Sequence, residues 1–511
     1  MLLELCHNQH EQIQELRDEI ARLKNLKPKP KIKPSGLESG KKPKKKRKGA
    51  RRGKRKKTRE LKIHEVVRIA PEEVPPGSRF KGYDKFTVQG LRIAVHNTRY
   101  KLERWETPEG ERLLGKLPSG VGDSHFSPPL RSFILYQYHH AHVTQPLLLE
   151  ELREWGVDIS SGQISAIITE GNEEFHAEKE ELLRVGLQQS GYVHVDDTGA
   201  RHQGKNGYCT HIGNEVFAYF ASTASKSRIN FLELLRAGSD EYTINEDGLA
   251  YMKALKLPRG LVDLLRGHTQ ETSCGKVAWL TTLEQLGISK PRHVRIATEG
   301  ALLGTVIEHG VNPELVIVSD DAGQFNVLLH ALCWIHAERT IGKLVGFTDE
   351  QRAALEDART RIWDFYQILK NHKEAPDEGK KSGIEERFDE IFTLETCFET
   401  LNLALKRLHK NKYELLLVLD RPDIPLHNNL SETDIREYVK KRKISGSTRS
   451  ENGRRSRDTF ASLKKTCRKN GISFWQYLLD RISGTNRIPP LAEWIFNSGL
   501  PPPGFSTLAD S

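Results

Sequence analysis

This 511-residue sequence has no long apolar run and few cysteines. Because no stretch reaches the length of a membrane-spanning helix and no apolar signal-peptide core follows the N-terminus, we expect a soluble intracellular protein without a membrane partner. The six cysteines show no paired spacing, which predicts reduced thiols rather than a disulfide framework. Residues 63–120 contain no cysteine at all, and this excludes a zinc ribbon of the Cys-x-x-Cys type from that segment.

Acidic residues are scarce in two segments, and the chain's net charge of +11 is concentrated there. Residues 27–60 hold 18 lysines and arginines against two acidic residues, a local charge of +16 that leaves −5 for the rest of the chain. Residues 436–469 hold 13 basic and three acidic residues, a local charge of +10. Two such patches predict a polyanionic partner.

The first basic patch has too few apolar residues to form a core, so we expect it to be disordered. Its densest run includes Lys44, Lys45, Lys46 and Arg47. Such a run favours DNA or RNA contact without sequence preference, because phosphate neutralisation releases counterions. A solubilising linker and a localisation signal are the alternative interpretations.

The length predicts several domains, and changes of composition divide the chain. Heptad spacing near the N-terminus indicates a coiled coil, with a frayed solvent-exposed helix as the alternative. Alternating segments at residues 85–88 and 91–95 indicate strands. In chain order the predicted segments are a coiled coil (1–26), a basic linker (27–62), a small β-rich module (63–125), a helical region (126–190), the first part of an α/β core (191–347) with an insertion at about 232–310, a helical insertion (348–411), the last part of the core (412–482) and a C-terminal tail (483–511).

Two successive helix starts mark the region 126–190. Thr144 followed by Gln145-Pro146 predicts an N-cap and an early proline, and Ser160 or Ser161 predicts the cap of a second helix after a glycine-containing turn. Two helices joined in this way fit a helix-turn-helix whose second helix, with Gln163 and Ser165, would enter a major groove. A plain helical hairpin has the same pattern, so both interpretations stand.

Two predicted strands end in pairs of acidic residues. The apolar alternation at residues 193–195 runs into Asp196 and Asp197, and the apolar run at residues 315–318 leads to Asp320. In a regular strand Asp196 lies on the face opposite the alternating valines, whereas Asp197 shares their apolar face. The sequence therefore favours Asp196 as the acid presented by the first strand.

The order of elements around these acids predicts the fold class. Further strands at residues 207–213 and 215–220 would complete a meander, which is followed by a helix, a buried strand and more helices. This order is that of a ribonuclease H-like core, so we predict an α/β fold with such a core and mainly helical insertions. The separations between Asp196, Asp320 and a third acid, Glu432, are long enough to require an insertion in each gap.

Together, Asp196, Asp320 and Glu432 would suit metal-dependent cleavage of a phosphodiester, because hard carboxylate oxygens hold two Mg²⁺ ions about 4 Å apart. Each acid also has an ordinary explanation. The two aspartates suit Asx turns at strand ends, and Glu432 suits the first turn of a helix. Only their combination with basic residues favours a metal site.

That combination is found in the segment after Asn428-Asn429. If either asparagine caps a helix, Glu432, Arg436 and Lys440 fall on one face, so an acid would be followed by two phosphate-contacting cations. The basic run continues as Lys441, Arg442 and Lys443. A zinc site built from the pairs Cys333/His336 and Cys209/His211 is the weaker interpretation, because such residues more often pack a core, and zinc is not expected.

These residues resemble one known family, the transposases of the insertion sequence 66 group, which belong to the DDE transposase class. The resemblance extends from the N-terminal segment to about residue 482, and its most specific part is the run from Asn428 to Glu432. Glu432 is followed by Thr433 rather than by the family's arginine. The stretches that carry the resemblance are Val195-Asp196-Asp197-Thr198, Val318-Ser319-Asp320, Cys333-Trp334-Ile335-His336-Ala337-Glu338-Arg339, and Asn428-Asn429-Leu430-Ser431-Glu432-Thr433-Asp434-Ile435-Arg436.

The resemblance implies that Asp196, Asp320 and Glu432 are the catalytic, metal-binding acids and that Asp197 and Asp321 are noncatalytic neighbours. It implies two Mg²⁺ ions, replaceable by Mn²⁺, and a DNA transposase that cleaves transposon ends and joins the 3′-hydroxyl to target DNA. The expected partners are double-stranded DNA, a second or further copy of the chain, and accessory proteins, at the nucleoid of a bacterial cytoplasm. A domesticated, non-catalytic DNA-binding protein and a ribonuclease H-like nuclease acting on RNA or hybrids remain the alternatives.

Overall fold

The computed structural model describes residues 63–118 (except 72 and 92), 124–268, 272–312 and 314–496. The predicted coiled coil and basic linker, with Lys44, Lys45, Lys46 and Arg47, lie outside the described residues, as does the end of the C-terminal tail. The chain divides into two units, Met1–Gln89 and Gly90–Ser511. In the first unit, the described residues form neither helix nor strand.

The small β-rich module predicted at 63–125 is reduced to a single hairpin in the described residues. It pairs β1 (Arg104–Glu106) with β2 (Arg112–Leu114). The strands predicted at 85–88 and 91–95 are wrong for the described residues of those segments. Their apolar side chains are exposed, as at Phe86 (92%) and Leu91 (88%). Alternation without a surface that buries it does not stabilise a strand.

Four helices follow, and the first three enclose a small apolar core that includes Ile134, Leu148 and Ile164. The predicted helix starts are confirmed, with Thr144 as one N-cap and Ser160, rather than Ser161, as the other. Ser160 forms a capping box with Gln163, which satisfies two backbone N–H groups. The helices are α1 (Pro128–His139), α2 (Gln145–Glu154), α3 (Ser161–Thr169) and α4 (Glu173–Gln189).

A five-stranded mixed sheet forms the centre of the second unit. Its order is β5-β4-β3-β8-β9, with antiparallel pairing from β5 to β3 and parallel pairing from β3 to β9. The predicted α/β class and the meander are thus confirmed, although the third strand begins at Ala218 because residues 214–217 form a turn. The strands are β3 (Tyr192–Gly199), β4 (Tyr208–Gly213), β5 (Ala218–Thr223), β8 (Val316–Ser319) and β9 (Leu329–Leu332).

The first insertion lies between β5 and β8 and packs on one face of the sheet. Alternate residues such as Val193, Val195 and Ile317 join its apolar side chains in one core, which explains the alternation in the sequence. The insertion consists of α5 (Arg228–Leu235), β6 (Glu241–Thr243), α6 (Glu246–Ala254), α7 (Arg259–Arg266), β7 (Thr272–Cys274), α8 (Lys276–Gln285) and α9 (Pro291–Glu308).

The helices after β9 cover the opposite face. Val316 and Val318, which alternate with Ile317, share a second core with Trp334 and Phe388. These helices are α10 (Trp334–Gly342), α11 (Asp349–Glu374), α12 (Lys381–Phe392), α13 (Glu399–Lys410) and α14 (Lys412–Leu416), with 3-10 turns at Glu378–Lys380 and Leu417–Leu419.

The chain returns to the sheet through four C-terminal helices. They are α15 (Asn429–Ser445), α16 (Glu451–Lys469), α17 (Phe474–Ile482) and α18 (Glu493–Phe496). The first packs on β3 and β4, and the second packs on β5 and α4. Among the helices of the described residues, none combines the length and the apolar character needed to cross a membrane.

Candidate active site

The pairing of β3 with β8 brings Asp196 and Asp320 together. In this parallel pair, Tyr192 is opposite Val316 and His194 is opposite Val318. Continuing the same register by two residues places Asp320 beside Asp196, on strands about 4.8 Å apart. Both acids therefore lie just beyond the segment in which β3 and β8 pair: Asp320 directly follows β8, and Asp196 lies within β3, which continues to pair with β4 as far as Gly199.

The two acids also share a face. Asp196 alternates with Val195, whose side chain is buried in the core of the first insertion, and has the same orientation as His194. The Val318 side chain lies in the core on the opposite face, and Asp320 has the same parity as Val318. The predicted choice of Asp196 over Asp197 thus agrees with the strand geometry.

Asp197 is held by neutral donors on the other face. Its Oδ1 accepts a hydrogen bond from Thr210 Oγ1 at 2.5 Å, and its Oδ2 accepts one from Gln324 Nε2 at 3.0 Å. Its backbone N–H donates to Asp196 Oδ1 at 2.7 Å. Asp197 therefore links β4 to the loop after Asp320 and orients the catalytic candidate beside it.

The charges at this edge of the sheet are poorly balanced. Burial raises the pKa of Asp196 to about 6, and the carboxylates of Asp320 and Asp197 add to the shift. Burial also raises the pKa of Asp197. Closely spaced, partly buried carboxylates with raised pKa values are typical of functional sites and favour a bound cation.

Lys226 is a site cation that sequence reasoning missed. Its ammonium opposes the upward pKa shifts of both Asp196 and Asp197, and its side chain is exposed. It follows β5, whose carboxyl end meets that of β3 through the antiparallel meander. The predicted meander could have indicated this residue, because the third strand of a meander runs in the same direction as the first. A residue just after β5 therefore lies at the same edge of the sheet as the carboxyl end of β3.

Glu432, the third acid, is held by two side chains of α10, Arg339 and His336. Arg339 Nη1 donates to Glu432 Oε1 at 2.9 Å, and His336 Nε2 lies 3.5 Å from the same oxygen. Burial lowers the pKa of His336, and the nearby carboxylates of Asp320 and Glu432 partly oppose that shift by raising it. His336 therefore lies between the third acid and the aspartate pair.

The three acids do not form a closed metal cage. Within the part of the chain that the structure describes, no three histidine, cysteine, aspartate or glutamate side chains are arranged to hold a metal ion. Asp196 and Asp320 adjoin, whereas Glu432 is engaged by Arg339. The arrangement thus brings two of the predicted acids together and leaves the third in a neighbouring ion pair.

Asn428 fixes the start of the helix that carries Glu432. It occupies the N-cap position, but its side chain does not cap the helix as predicted. Its Nδ2 donates to the backbone oxygen of Val195 at 2.7 Å, and its Oδ1 lies 2.9 Å from His194 Nδ1. Burial lowers the pKa of His194 to about 4, so this ring is neutral and can donate to the amide oxygen.

The backbone of Asn428 adds a third connection. Its N–H donates to Cys333 Sγ at 3.2 Å, immediately before α10. Asn428 therefore joins β3 beside Asp196, the helix of Arg339 and the helix of Glu432. Sequence reasoning identified the asparagine pair but predicted a local cap, because a contact with a strand more than 200 residues earlier has no local signature.

A second buried network holds the next turn of α15. His211 Nδ1 lies 2.7 Å from Ser431 Oγ, and His211 Nε2 lies 3.1 Å from Asp434 Oδ2. Lys465 and Lys469 reach Asp434 at 2.9 and 2.8 Å. Burial opposes ionisation of Asp434, but its bonds to His211 and Lys469 hold its pKa well below the usual range. The turn bearing Glu432 is thus fixed from both β4 and α16.

The basic run of α15 is divided between two environments. Arg436 and Lys440 are exposed on the face of Glu432, as the spacing predicted, and Lys443 is also exposed. Arg442 donates through Nη1 to the backbone oxygen of Gly199 at the end of β3. Three of these cations are therefore presented to solvent, and one fastens the helix to the strand of Asp196.

Lys441 lies on the inner side of α15, against α1. It was predicted to contact DNA, but its side chain is only 5% exposed. Its ammonium donates to the backbone oxygen of Tyr138 at 2.6 Å and lies 3.4 Å from the centre of the Tyr138 ring. Burial, followed by the charges of Arg457 and Lys464, lowers its pKa to about 7. Helical periodicity turns this residue inward onto α1, so it cannot face a polyanion.

The residues predicted to read a groove lie on α3. Gln163 is exposed, and its Oε1 accepts a hydrogen bond from the backbone N–H of Ser160 at 2.8 Å. Ser165 is half-buried. Gln163 therefore serves the helix start in this structure, while the outer face of α3 stays open.

The remaining acid and thiol candidates have structural partners. Asp321 accepts from Arg407 Nη2 at 2.5 Å, which ties the loop after β8 to the second insertion. Cys209 is buried against Phe220 and Tyr438, away from Cys333 in its contact with Asn428. The two Cys/His pairs considered for zinc therefore occupy different places in the fold.

Comparison with known proteins adds to this geometry. The family model described as "Transposase IS66 family" matches residues 309–456, which include Asp320 and Glu432. An uncharacterized protein, y4jO, from Sinorhizobium fredii (strain NBRC 101917 / NGR234) is 45% identical over 314 residues, covering 61% of this chain and 98% of that relative. The chain belongs to the IS66 family of transposases.

Proposed function

We propose that this protein is a metal-dependent DNA transposase that cleaves a strand at transposon ends and joins the freed 3′-hydroxyl to target DNA. The observation that carries the proposal is the register of β3 and β8, which sets Asp196 beside Asp320 on one face of the sheet. Glu432 begins the helix that Asn428 fastens to the same strand. Membership of a transposase family supports a polynucleotidyl-transferase activity.

The sheet supports the assignment of a ribonuclease H-like core. An antiparallel meander of three strands continues into two parallel strands, with Asp320 directly after β8 and Asp196 beside it within β3. In open α/β sheets, ligands bind outside the carboxyl ends of the strands where the strand order reverses. Strand β3 is at that position, between β4 on one side and β8 on the other.

The residues present fit divalent metal ions. Asp196 and Asp320 supply hard oxygen ligands at a site with an excess of negative charge, and Mg²⁺ prefers such ligands. Two Mg²⁺ ions, or Mn²⁺ in their place, would activate the attacking oxygen and stabilise the leaving oxygen. Glu432 would complete the ligand set after release from Arg339.

The remaining roles follow from exposed basic residues. Arg436, Lys440 and Lys443 of α15 would contact DNA phosphates, and Arg442 would hold β3 in place. Gln163 and Ser165 would face the groove at the transposon end, with the Lys44–Arg47 run binding without sequence preference. A dimer or higher oligomer would bring two ends together, with accessory proteins, at the bacterial nucleoid.

Replacement of the acids tests the proposal. Asp196→Asn, Asp320→Asn and Glu432→Gln should each abolish Mg²⁺-dependent cleavage and strand joining on labelled DNA ends while leaving DNA binding intact. Asp321→Asn is the matched control, because Asp321 neighbours Asp320 but pairs with Arg407. It should retain activity. Full strand joining by all three acid variants would refute the assignment.

One observation favours a second candidate, a DNA-binding protein without turnover. Glu432 is paired with Arg339 rather than joined to the aspartates. DNA footprints without cleavage in Mg²⁺ or Mn²⁺ would support this alternative. Labelled RNA and RNA/DNA hybrid, supplied beside DNA, separate both candidates from a nuclease with another substrate.

A further inference from the structure

A cavity of about 130 Å³ lies at the turn between β3 and β4. It is bounded by that turn, the end of β5, residue Thr448 and the first turns of α16. A single water molecule needs a cavity volume of roughly 10–15 Å³, so this cavity has room for a larger group. It lies beyond the aspartate pair along β3 and is separate from it.

The cavity is lined by basic side chains and contains no acidic one. Arg201, Lys205, Arg454 and Arg457 all line it, and no aspartate or glutamate does. Arg454 pairs with Glu451 of its own helix, outside the lining. Lys205 is exposed and forms no ion pair with the described residues. Behind the lining, Asp458 bonds to Ser222 and Tyr438, so the four cations outnumber the two nearby carboxylates and the cavity favours an anion.

Arg457 brings a fixed guanidinium to the wall of the cavity. Its side chain is largely buried, with the residue only 7% exposed. Its Nη1 donates to the backbone oxygen of Gly446 at 3.0 Å, but its Nε has no hydrogen-bond partner. Because that Nε has almost no accessible surface, an anion in the cavity would approach Arg457 through its terminal guanidinium nitrogens, which suit the charge and geometry of a phosphate.

The wall of the cavity is fixed in advance. His202 Nδ1 lies 2.8 Å from Thr448 Oγ1, and the Gln203 N–H donates to the Thr448 oxygen at 2.8 Å. The Thr448 N–H donates in turn to the oxygen of Arg201 at 3.2 Å. These bonds fasten the β3–β4 turn to the segment after α15, so an anion would meet an ordered site rather than order a loose one.

We propose that this cavity, called here the Arg457 pocket, binds one phosphodiester of the DNA strand that passes over the acidic edge. Ala200 directly follows β3 and lies four residues after Asp196, which corresponds to about 13 Å at roughly 3.3 Å per residue. That span equals a few nucleotides of one strand. The inference rests on the proposed function, and it gives the DNA an anchoring point distinct from the exposed cations of α15.

DNA binding without metal tests the Arg457 pocket. A fluorescein-labelled 20-nucleotide strand and a 30-base-pair duplex would be titrated with full-length protein in EDTA, between 50 and 300 mM KCl. Lys205→Ala should weaken binding about three- to fivefold at 100 mM KCl and reduce the salt slope by about one. Arg457→Gln should have a similar or larger effect, with its fold checked by circular dichroism.

Lys253→Ala is the matched control, because Lys253 is an exposed lysine on α6 in the first insertion. It should bind like the wild type. If Lys205→Ala and a folded Arg457→Gln keep the wild-type affinity and salt slope, the pocket assignment is wrong. Mg²⁺-dependent cleavage by the wild type, measured in the same preparations, tests the proposed function separately. If the wild type cleaves DNA and the variants bind DNA normally, only the pocket assignment is wrong. If the variants bind DNA more weakly but the wild type does not cleave it, only the catalytic proposal is wrong.

Discussion

At the scale of single residues, Asn428 joins three elements of the site: β3, the start of α10 and the start of α15. Its side chain is 1% exposed and bonds to β3, and its backbone bonds to Cys333. Asn428→Ala should lower the free energy of unfolding by about 2–4 kcal/mol, because it leaves His194 and the Val195 oxygen without partners. It should also reduce Mg²⁺-dependent cleavage, since the helix of Glu432 loses its attachment.

Asn429 provides the comparison, because it is the next residue and is exposed. Asn429→Ala should change the free energy of unfolding in urea by less than about 0.5 kcal/mol. Equal destabilisation by the two substitutions would contradict a specific role for the Asn428 amide.

Arg339 should control the affinity of the proposed site for metal ions. Its guanidinium is 2.9 Å from Glu432, so Arg339→Gln should remove a positive charge beside the proposed metal site. The affinity for Mn²⁺, measured by isothermal titration calorimetry, should rise roughly three- to tenfold, which corresponds to about 1 kcal/mol of Coulomb repulsion. Arg339→Lys keeps the charge and should leave the affinity near the wild-type value. A fall in Mn²⁺ affinity with Arg339→Gln would show that Arg339 supports the site rather than competes for Glu432.

At the scale of elements, α15 has one side facing solvent and another facing α1. Lys441 marks the inner side, with a pKa lowered by burial to about 7 from 10.5. Between these values the unfolded chain binds more protons at this position than the folded chain, so the free energy of unfolding rises as the pH increases. Lys441→Met should remove a slope of up to about 1.4 kcal/mol per pH unit.

Urea unfolding at pH 7, 8 and 9 measures this slope. Lys440→Met is the control, because Lys440 is the preceding residue and is exposed. Only the Lys441 variant should flatten the pH dependence. An unchanged slope in Lys441→Met would mean that the contact with the Tyr138 ring keeps the ammonium charged.

The face of a strand residue and the starts of helices could be predicted from the sequence, whereas the end of β3, which continues past the acid pair to Gly199, and contacts between distant elements could not. Alternating valines gave the face of Asp196, and serine and threonine caps gave the starts of α2 and α3. The contact of Arg339 with Glu432 joins residues 93 positions apart and has no local pattern. The burial of Lys441 was missed because the inner side of α15 mixes polar Ser431 and Asp434 with apolar residues, so its sequence does not show clearly which side packs.

At the scale of the whole molecule, the first basic patch lies outside the second compact unit, Gly90–Ser511. Removing residues 1–62 deletes the segment 27–60 and its local charge of +16. Affinity for two unrelated DNA duplexes should fall to a similar degree, and the salt slope of binding should become shallower. The thermal unfolding of the remaining chain should stay the same. An unchanged salt slope would show that α15 and the Arg457 pocket supply the whole electrostatic contribution.

The two insertions pack on opposite faces of the same sheet, and this has a consequence for evolution. Either insertion can lengthen or shorten without shifting Asp196 against Asp320, because the offset between them is set by backbone pairing of β3 with β8. The number of residues between the acids is therefore a poor guide to kinship in this fold. Divergent relatives would be recognised by two features: the register of β3 against β8, which sets Asp196 beside Asp320, and the attachment of Asn428 to β3.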